Sequence, residues 1–188
     1  MFIQIEQTPN PRTLKFLPGL PVAKKGTIFY QNESEASNSP FAKRMFAVDG
    51  VKSVFFGNDF ITITKLEDLD WQVLKPMVLG AITDHYDSEG ETTIETPDQK
   101  KSEELNENQD DSDIVKQIKE LLDTRVRPAV AMDGGDIVYK KFDKGIVYLH
   151  MQGACSGCPS STATLKAGIE NMLKHYIPEV KEIRPIDG

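Results

Sequence analysis

The sequence predicts an α+β protein made of two small domains joined by an acidic, flexible linker. Apolar runs of strand length alternate with longer stretches in which apolar residues recur at helical period. Between them, residues 87–113 carry eleven acidic residues against two lysines and contain no aromatic residue. The flanking pieces, residues 1–86 and 114–188, are each long enough for a small domain and have nearly balanced charge. We therefore expect one domain in each flanking piece.

The first domain is predicted to open with short strands. Residues 2–5 and 12–17 have the strand pattern, and the two prolines of residues 8–11 place a turn between them. After a Pro- and Gly-containing loop, residues 26–30 are predicted as a third short strand. Residues 34–39 are polar and small, which indicates a linker.

A short helix and a hairpin are predicted next. Ser39 and Pro40 have the order of an N-cap and a first helical residue. Residues 51–56 and 60–65 are apolar-rich runs separated by Gly57-Asn58-Asp59, a strong hairpin signal.

A long helix should close the first domain. From Asp70 onward the apolar residues keep near-helical spacing; these residues are Trp71, Leu74, Val78, Ile82 and Tyr86. Pro76 is expected to kink this helix or to divide it in two. His85, near its end, is predicted to be a solvated surface residue rather than a metal ligand, because no cysteine or second histidine is near it in sequence.

The acidic stretch, residues 87–113, has only Ile94 and Leu105 as sizeable apolar residues. Such a segment cannot bury enough apolar surface to offset the entropy lost on ordering. It is interpreted as a flexible tether, and a passive solvated linker is favoured over a docking motif.

The second domain is predicted to begin with a helix capped by Asp113 and stopped by Arg127-Pro128. Its apolar residues share one face; they are Ile114, Ile118, Leu121, Leu122 and Val126. Asp133 and Asp136 flank two glycines and are interpreted as turn residues, so no catalytic acid or base is assigned.

Two strands, a helix and a third strand should follow. Residues 137–142 and 146–151 are predicted to pair through the turn at 143–145, followed by a helix over 162–176 and a strand over 180–186. The order helix, strand, strand, helix, strand predicts a small sheet with both helices on one face.

The chain's only two cysteines, Cys155 and Cys158, lie between the second of these strands and its following helix. Pro159 suits a first helical position. A helix N-terminus lowers the pKa of nearby thiols and so favours the thiolate that binds metal or attacks disulfides. Gly153 and Gly157 allow a close backbone approach. Both cysteines are expected to be exposed at one end of the sheet, outside the apolar stripe of the helix.

A Cys-x-x-Cys pair alone is compatible with a metal site, a redox pair or two inert buried cysteines. The pair lacks the aromatic residue and internal proline usual in a thioredoxin site, which favours metal. A closed zinc or iron–sulfur site takes four ligands, so the missing two are expected from a second copy of the chain. His150 and His175 are candidates for further ligands, but packing or surface roles are favoured for both.

Other functional classes fit the composition poorly. Neither flanking piece has the basic excess of a nucleic-acid binder. No stretch has the apolar length of a membrane span, and the N-terminus lacks the pattern of a signal peptide. Two cysteines in 188 residues give no disulfide framework, which favours a reducing compartment.

Two motifs together are similar to a known family. The run from Arg127 to Asp136, followed by the run from Gly153 to Ser161, resembles the NifU C-terminal domain of iron–sulfur proteins. The opening run from Gln7 to Phe16, with the domain to about residue 86, resembles the Nfu N-terminal domain. The domain order resembles the mitochondrial and alphaproteobacterial type of Nfu.

The resemblance implies an assembly factor, not an enzyme, that holds an iron–sulfur cluster and passes it to apo-proteins. It makes Cys155 and Cys158 the cluster ligands. Two thiolates per chain are half of a four-cysteine set, so a [4Fe–4S] cluster would bridge a homodimer, with [2Fe–2S] as a second form. Upstream assembly proteins would supply the cluster, and the first domain would contact partners. The compartment implied is the bacterial cytoplasm, or the mitochondrial matrix if a presequence has been removed.

Two functions of other classes use the same thiols. In a dithiol oxidoreductase, Cys155 would attack a substrate disulfide and Cys158 would resolve the mixed disulfide, without metal. In a zinc-stapled structural dimer, four thiolates from two chains would hold the metal permanently.

Overall fold

The computed structural model describes residues 2–89, 112–157 and 159–186; for 159–162 it describes the backbone only. The chain divides into two compact units, Met1–Pro97 and Asp98–Gly188, and each unit is described by itself. Most of the predicted acidic linker, residues 90–111, lies outside the described residues.

Unit 1 is a five-stranded antiparallel sheet with helices. Its elements are β1 (Gln4–Gln7), β2 (Thr13–Leu17), β3 (Ile28–Tyr30), a 3-10 helix (Glu33–Asn38), α1 (Pro40–Phe46), β4 (Val51–Phe56), β5 (Ile61–Lys65) and α2 (Trp71–Glu89). The strand order is β1-β2-β5-β4-β3. The predicted strands and the hairpin joining β4 to β5 are confirmed.

The core of unit 1 lies on one face of this sheet. Alternate residues of β2, β4 and β5 point to it and are buried; they include Leu14, Phe16, Val54, Phe56, Ile61 and Ile63. Helices α1 and α2 supply the opposite wall through Phe41, Met45, Leu74, Val78 and Ile82. Buried residues at every second position of the strands therefore pack against buried residues at every fourth position of α2.

Two elements of unit 1 differ from the prediction. The polar residues 34–39 are not a simple linker, because most of them form the 3-10 helix, whose N-cap Asn32 accepts a hydrogen bond from the backbone N–H of Glu35 at 3.2 Å. Helix α2 is also continuous through Pro76 and runs to Glu89, three residues into the stretch predicted as linker. Pro76 is exposed, so water can solvate the carbonyl that lacks a partner there.

The prediction that His85 is a solvated surface residue is wrong. Its side chain is only 2% exposed and its ring stacks on Phe41, with the ring centroids 3.8 Å apart. It also meets Tyr86 edge to face, and its Nδ1 lies 3.8 Å from a carboxylate oxygen of Glu89. The sequence near His85 does not show this packing, because Phe41 comes from helix α1.

Unit 2 has a three-stranded sheet with helices. Its elements are α3 (Asp113–Leu121), a π-helical segment (Leu122–Val126), α4 (Arg127–Met132), β6 (Gly135–Asp143), β7 (Ile146–Gly153), α5 (Pro159–Tyr176) and β8 (Glu182–Ile186). Strands β6 and β7 form an antiparallel hairpin, and β8 pairs with β7 in parallel. At the hairpin turn Lys144 and Gly145 both have positive φ, 51° and 86°, as a tight two-residue turn requires.

One apolar cluster holds unit 2 together. The sheet contributes Ile137, Val147, Leu149, Met151 and Ile183, the first helical segments contribute Ile118, Leu122, Val126 and Val130, and α5 contributes Ile169 and Leu173. The alternation of buried residues along β7 places them on one face. The predicted helix, strand, strand, helix, strand order with both helices against one face is confirmed.

The prediction that Arg127-Pro128 stops the first helix of unit 2 is wrong. The chain stays helical through the π-helical segment and continues as α4 to Met132. Pro128 is the second residue of α4, directly after the widened π turn, where its missing N–H is tolerated. The start of α3 also differs by one residue, with Ser112 as the N-cap and Asp113 as its first residue.

Replacing Ser39 by alanine should destabilise unit 1 by about 1 kcal/mol, because the Ser39 hydroxyl is buried and accepts the Ala42 N–H at the start of α1 at 3.1 Å. Urea unfolding followed by the fluorescence of Trp71, the only tryptophan of the chain, reports on this unit. The exposed Ser34→Ala is the matched control. Equal midpoints for the two variants would show that the cap contributes nothing.

Candidate metal centre

The predicted site lies on the loop from β7 to α5. Strand β7 ends at Gly153 and α5 begins at Pro159, as the sequence predicted for a helix entrance. Gly153 and Gly157 have φ of 60° and 68°, a region that residues with a side chain rarely adopt. These two glycines therefore set the course of the loop around Cys155. Cys158, the other predicted ligand, lies outside the described residues.

The expectation that Cys155 is exposed and lies outside the core is wrong. The residue is 5% exposed and belongs to the apolar cluster of unit 2. Its backbone N–H donates to the carbonyl of Gln152 at 3.3 Å, so the loop turns back at once after β7. This turn carries the side chain of Cys155 inward, over the start of β6.

Gly135 provides the surface on which Cys155 rests. A Cβ atom at Gly135 would lie 2.5 Å from Sγ of Cys155, and 2.9 Å both from its backbone nitrogen and from the carbonyl oxygen of Gln152. The neighbouring Gly134 accepts the Ala154 N–H at 3.1 Å, and Gly135 pairs with Gly153 across the ladder. Only glycine fits this contact. The turn predicted from the sequence at Gly134 and Gly135 does not include this close approach at Gly135.

An ion pair between a buried carboxylate and a partly exposed arginine holds the next residue in place. Asp136, whose side chain is 4% exposed, accepts hydrogen bonds from Nε and Nη2 of Arg127, each at 2.9 Å, and from the N–H of Ile137 at 2.8 Å. The bond to Asp136 raises the pKa of Arg127, which stays charged. Arg127 also contacts Asp123 at 3.1 Å, one helical turn earlier. This planar, two-pronged geometry is the one that arginine forms with a carboxylate.

Asp136 is therefore more than the turn residue predicted from the sequence, because it is the second residue of β6 and joins that strand to α4 through Arg127. Asp133, by contrast, is exposed and ends α4. A signal was present in the sequence: an arginine and an aspartate nine residues apart enclose a Pro- and Gly-containing segment. Spacing alone does not show that the two side chains meet.

The two histidines considered as further ligands, His150 and His175, have different surroundings. His150 is 7% exposed on β7, and its Nδ1 lies 3.4 Å from the amide nitrogen of Gln152. By strand alternation it faces away from Leu149 and Met151, which belong to the apolar cluster with Cys155. His175, near the end of α5, meets the ring of Tyr176 edge to face.

Within residues 2–89, 112–157 and 159–186, no three His, Cys, Asp or Glu side chains come together as a metal site. In the same part of the chain, no helix is both long enough and apolar enough to cross a membrane.

Comparisons with known proteins agree with this two-unit arrangement. Residues 3–89 match the family model described as scaffold protein Nfu/NifU N terminal, and residues 118–184 match the NifU-like domain. The chain is 51% identical to NifU-like protein 4, mitochondrial, of Arabidopsis thaliana, over all of this chain and 67% of that protein. The chain belongs to the Nfu family. It is thus a member of a family of scaffold proteins and not of enzymes, as the sequence predicted.

A human relative of this Nfu chain agrees. It is 50% identical to the human NFU1 iron-sulfur cluster scaffold homolog, mitochondrial, over 99% of this chain and 72% of that protein. The solution structure of a NifU-like protein from Saccharomyces cerevisiae is 31% identical, with a TM-score of 0.45, covering 50% of this chain and 84% of that one.

Gly135→Ala should expose Cys155, because the new methyl group would occupy the position against which Sγ now rests. We expect a severalfold faster reaction of the Cys155 thiol with a chromogenic disulfide, measured in a Cys158→Ser background so that one thiol reports. Gly168→Ala, on the exposed side of α5 with nothing within 4 Å, is the matched control and should not change the rate. An unchanged rate in Gly135→Ala would contradict the close contact.

Arg127→Met should destabilise unit 2 by about 2 kcal/mol, since it leaves the buried carboxylate of Asp136 without its cationic partner on a side of the pair that water can reach. Arg127→Lys keeps the charge but loses the two-pronged contact, so a smaller loss is expected. Amide hydrogen exchange on β6 and β7 measures the effect in unit 2 alone. Equal protection in Arg127→Met and the unmodified protein would show that the pair does not stabilise the sheet.

Proposed function

We propose that this chain is an iron–sulfur cluster scaffold and carrier that binds a [4Fe–4S] cluster through Cys155 and Cys158 and transfers it to apo-proteins. The observation that carries the proposal is the spacing of the chain's only two cysteines in the sequence between β7 and α5, inside the region matching the NifU-like domain. The human relative is named as an iron-sulfur cluster scaffold homolog, which supports the same function.

The chemistry of the donor set fits the cluster as cargo. Thiolates are the usual protein ligands of iron–sulfur clusters, and the N-terminus of α5 favours the thiolate form. Sγ of Cys155 points inward over Gly135, so cluster binding requires the loop to turn this side chain outward. Gly153 and Gly157 supply backbone freedom on both sides of Cys155 for that change.

Two thiolates are half of the usual four-cysteine ligand set, and the sequence contains no third cysteine. The proposed cluster is therefore shared by two chains, which it joins into a homodimer. Ligands that come from separate subunits can be replaced one pair at a time by the thiolates of a recipient. This route suits a carrier, which must release its cargo to apo iron–sulfur proteins after receiving it from upstream assembly proteins.

Unit 1 and the acidic stretch have proposed supporting roles. We treat residues 1–86 and 114–188 as two domains, with residues 87–113 as the linker between them, and we assign partner contact to the first domain. The relatives from Arabidopsis and human are named as mitochondrial. For this chain the proposed compartment is the mitochondrial matrix or a bacterial cytoplasm.

Anaerobic reconstitution with iron and sulfide should give about two irons per chain, because one [4Fe–4S] cluster would be divided between two chains. Iron and sulfide analysis with absorbance spectroscopy measures this ratio. About one iron per chain would indicate a shared [2Fe–2S] cluster instead, and four would contradict the shared site. A colourless zinc-loaded protein, or disulfide reductase activity without metal, would favour the two alternative functions.

Cys155→Ala and Cys158→Ser should each abolish both cluster binding and the formation of a larger species on reconstitution, since each removes a proposed ligand. Alanine is used at position 155 because a serine hydroxyl would be placed in the apolar cluster. Anaerobic sedimentation measures the assembly, and far-UV circular dichroism confirms the fold. Dimerisation of either variant to the extent of the unmodified protein would show that the cluster does not join the chains.

A further inference from the structure

Helix α2 carries a second apolar stripe on its solvent-exposed side, next to the face that packs on the core of unit 1. Its buried side is formed by Leu74, Val78 and Ile82. On the outer side Val73 is 62% exposed and Met77 is 44% exposed, and Leu69, just before the helix, is 37% exposed. Val73 and Met77 are spaced by four and are neighbours on the helix surface, and Leu69 lies two residues before the first residue of α2. We call Leu69, Val73 and Met77 the outer stripe.

The outer stripe is continued by small or apolar residues. Pro76 and Gly80 are exposed on the same side of the helix. Because neither has a large side chain, the surface beside Val73 and Met77 projects less than these two residues do. The side chain of Leu69 rests on Gly50, where a Cβ would lie 2.0 Å from its Cδ1. Leu69 is thereby fixed at one end of the stripe. Large exposed apolar side chains in a contiguous line are typical of a surface that binds another protein.

Carboxylates bound the outer stripe at both ends. At one end Asp68 and Asp70 flank Leu69, and at the other end Asp84 and Asp87 follow Met77 on the same side of α2; all four are exposed. At about 1.5 Å per residue, Asp70 and Asp84 are about 21 Å apart along the helix axis. The only lysine of α2, Lys75, is two residues from Val73, about 200° around the helix, and is half-buried. The stripe is therefore apolar in the middle and acidic at each end.

We infer that the outer stripe of α2 is the docking site for a basic amphipathic helix of a partner protein. The occupant would be about four turns long, with apolar residues along one face and lysine or arginine at both ends. Its apolar face would cover Val73 and Met77, as an amphipathic helix covers a hydrophobic groove. Its basic ends would meet Asp70 at one end and Asp84 and Asp87 at the other, which sets the register.

The same charges disfavour two other occupants. A second copy of this surface would bring carboxylates against carboxylates in either a parallel or an antiparallel alignment, because both ends are acidic. An anionic membrane surface would be repelled by these carboxylates. The inference is independent of the cysteine loop, since every residue that carries it lies in unit 1.

The test uses the full chain and an 18-residue fluorescein-labelled peptide, with leucines on one helical face and lysines at both ends. Fluorescence anisotropy should show saturable binding that weakens with salt. Val73→Gln with Met77→Gln should weaken binding about tenfold without changing the charge of the protein. Asp84→Asn with Asp87→Asn should weaken it severalfold and reduce the salt dependence. A peptide with glutamate in place of lysine should bind far more weakly.

Two controls separate the stripe from other surfaces. Met132→Gln removes a methionine of unit 2 that is 78% exposed and should leave peptide binding unchanged. Cys155→Ala should also leave it unchanged, so failure of the cluster proposal and failure of this inference are distinguishable. Unchanged binding in the Val73 and Met77 double variant would overturn the inference, because the lysines would then be held by carboxylates elsewhere.

Three further outcomes would also overturn it. One is the absence of binding to the basic peptide at millimolar concentration. A second is self-association of the unmodified protein in sedimentation that the Val73 and Met77 double variant abolishes, which would assign the stripe to a second copy. A third is binding to vesicles containing anionic lipid that the same variant abolishes, which would assign it to a membrane surface.

Discussion

The ion pair between Arg127 and the buried Asp136 is the interaction on which the arrangement of unit 2 depends. A carboxylate that is 4% exposed is strongly unfavourable unless it is paired and hydrogen-bonded, and Asp136 receives two bonds from Arg127 and one from the backbone. The pair ties the first residue of α4 to the first residues of β6. Gly135 precedes Asp136, so its backbone is held where the Cys155 side chain can rest on it. The ion pair thus fixes the position of the apolar contact between Gly135 and Cys155.

The loop that carries Cys155 combines a fixed base with adaptable flanks. Its base is the ladder pairing of Gly135 with Gly153 and the bond from Ala154 to Gly134. Its flanks are glycines with positive φ, whose conformational range is wide. A ligand side chain on such a loop can change direction while the sheet beneath it stays in place. This division suits a protein whose ligands must first hold a cargo and then release it.

Features set by neighbouring residues could be predicted from the sequence. The N-cap at Ser39, the hairpin between β4 and β5 and the turn at Lys144 and Gly145 all rest on local chemistry. Features set by distant residues could not. His85 is buried because its ring stacks on Phe41, forty-four positions earlier, and Cys155 is buried because Gly135 leaves room for its sulfur. Pro128 did not end the helix, because the preceding π turn accommodates it.

The inward position of Cys155 also bears on its chemistry toward oxidants. Peroxide attacks exposed thiolates and converts them first to sulfenic acid and then to forms that are not reduced again. A sulfur that is 5% exposed within an apolar cluster offers little surface to such reagents. In this position the thiol is shielded from oxidants in solution. The packing of the Cys155 side chain against Gly135 thus protects the residue from oxidation as long as the loop keeps this conformation.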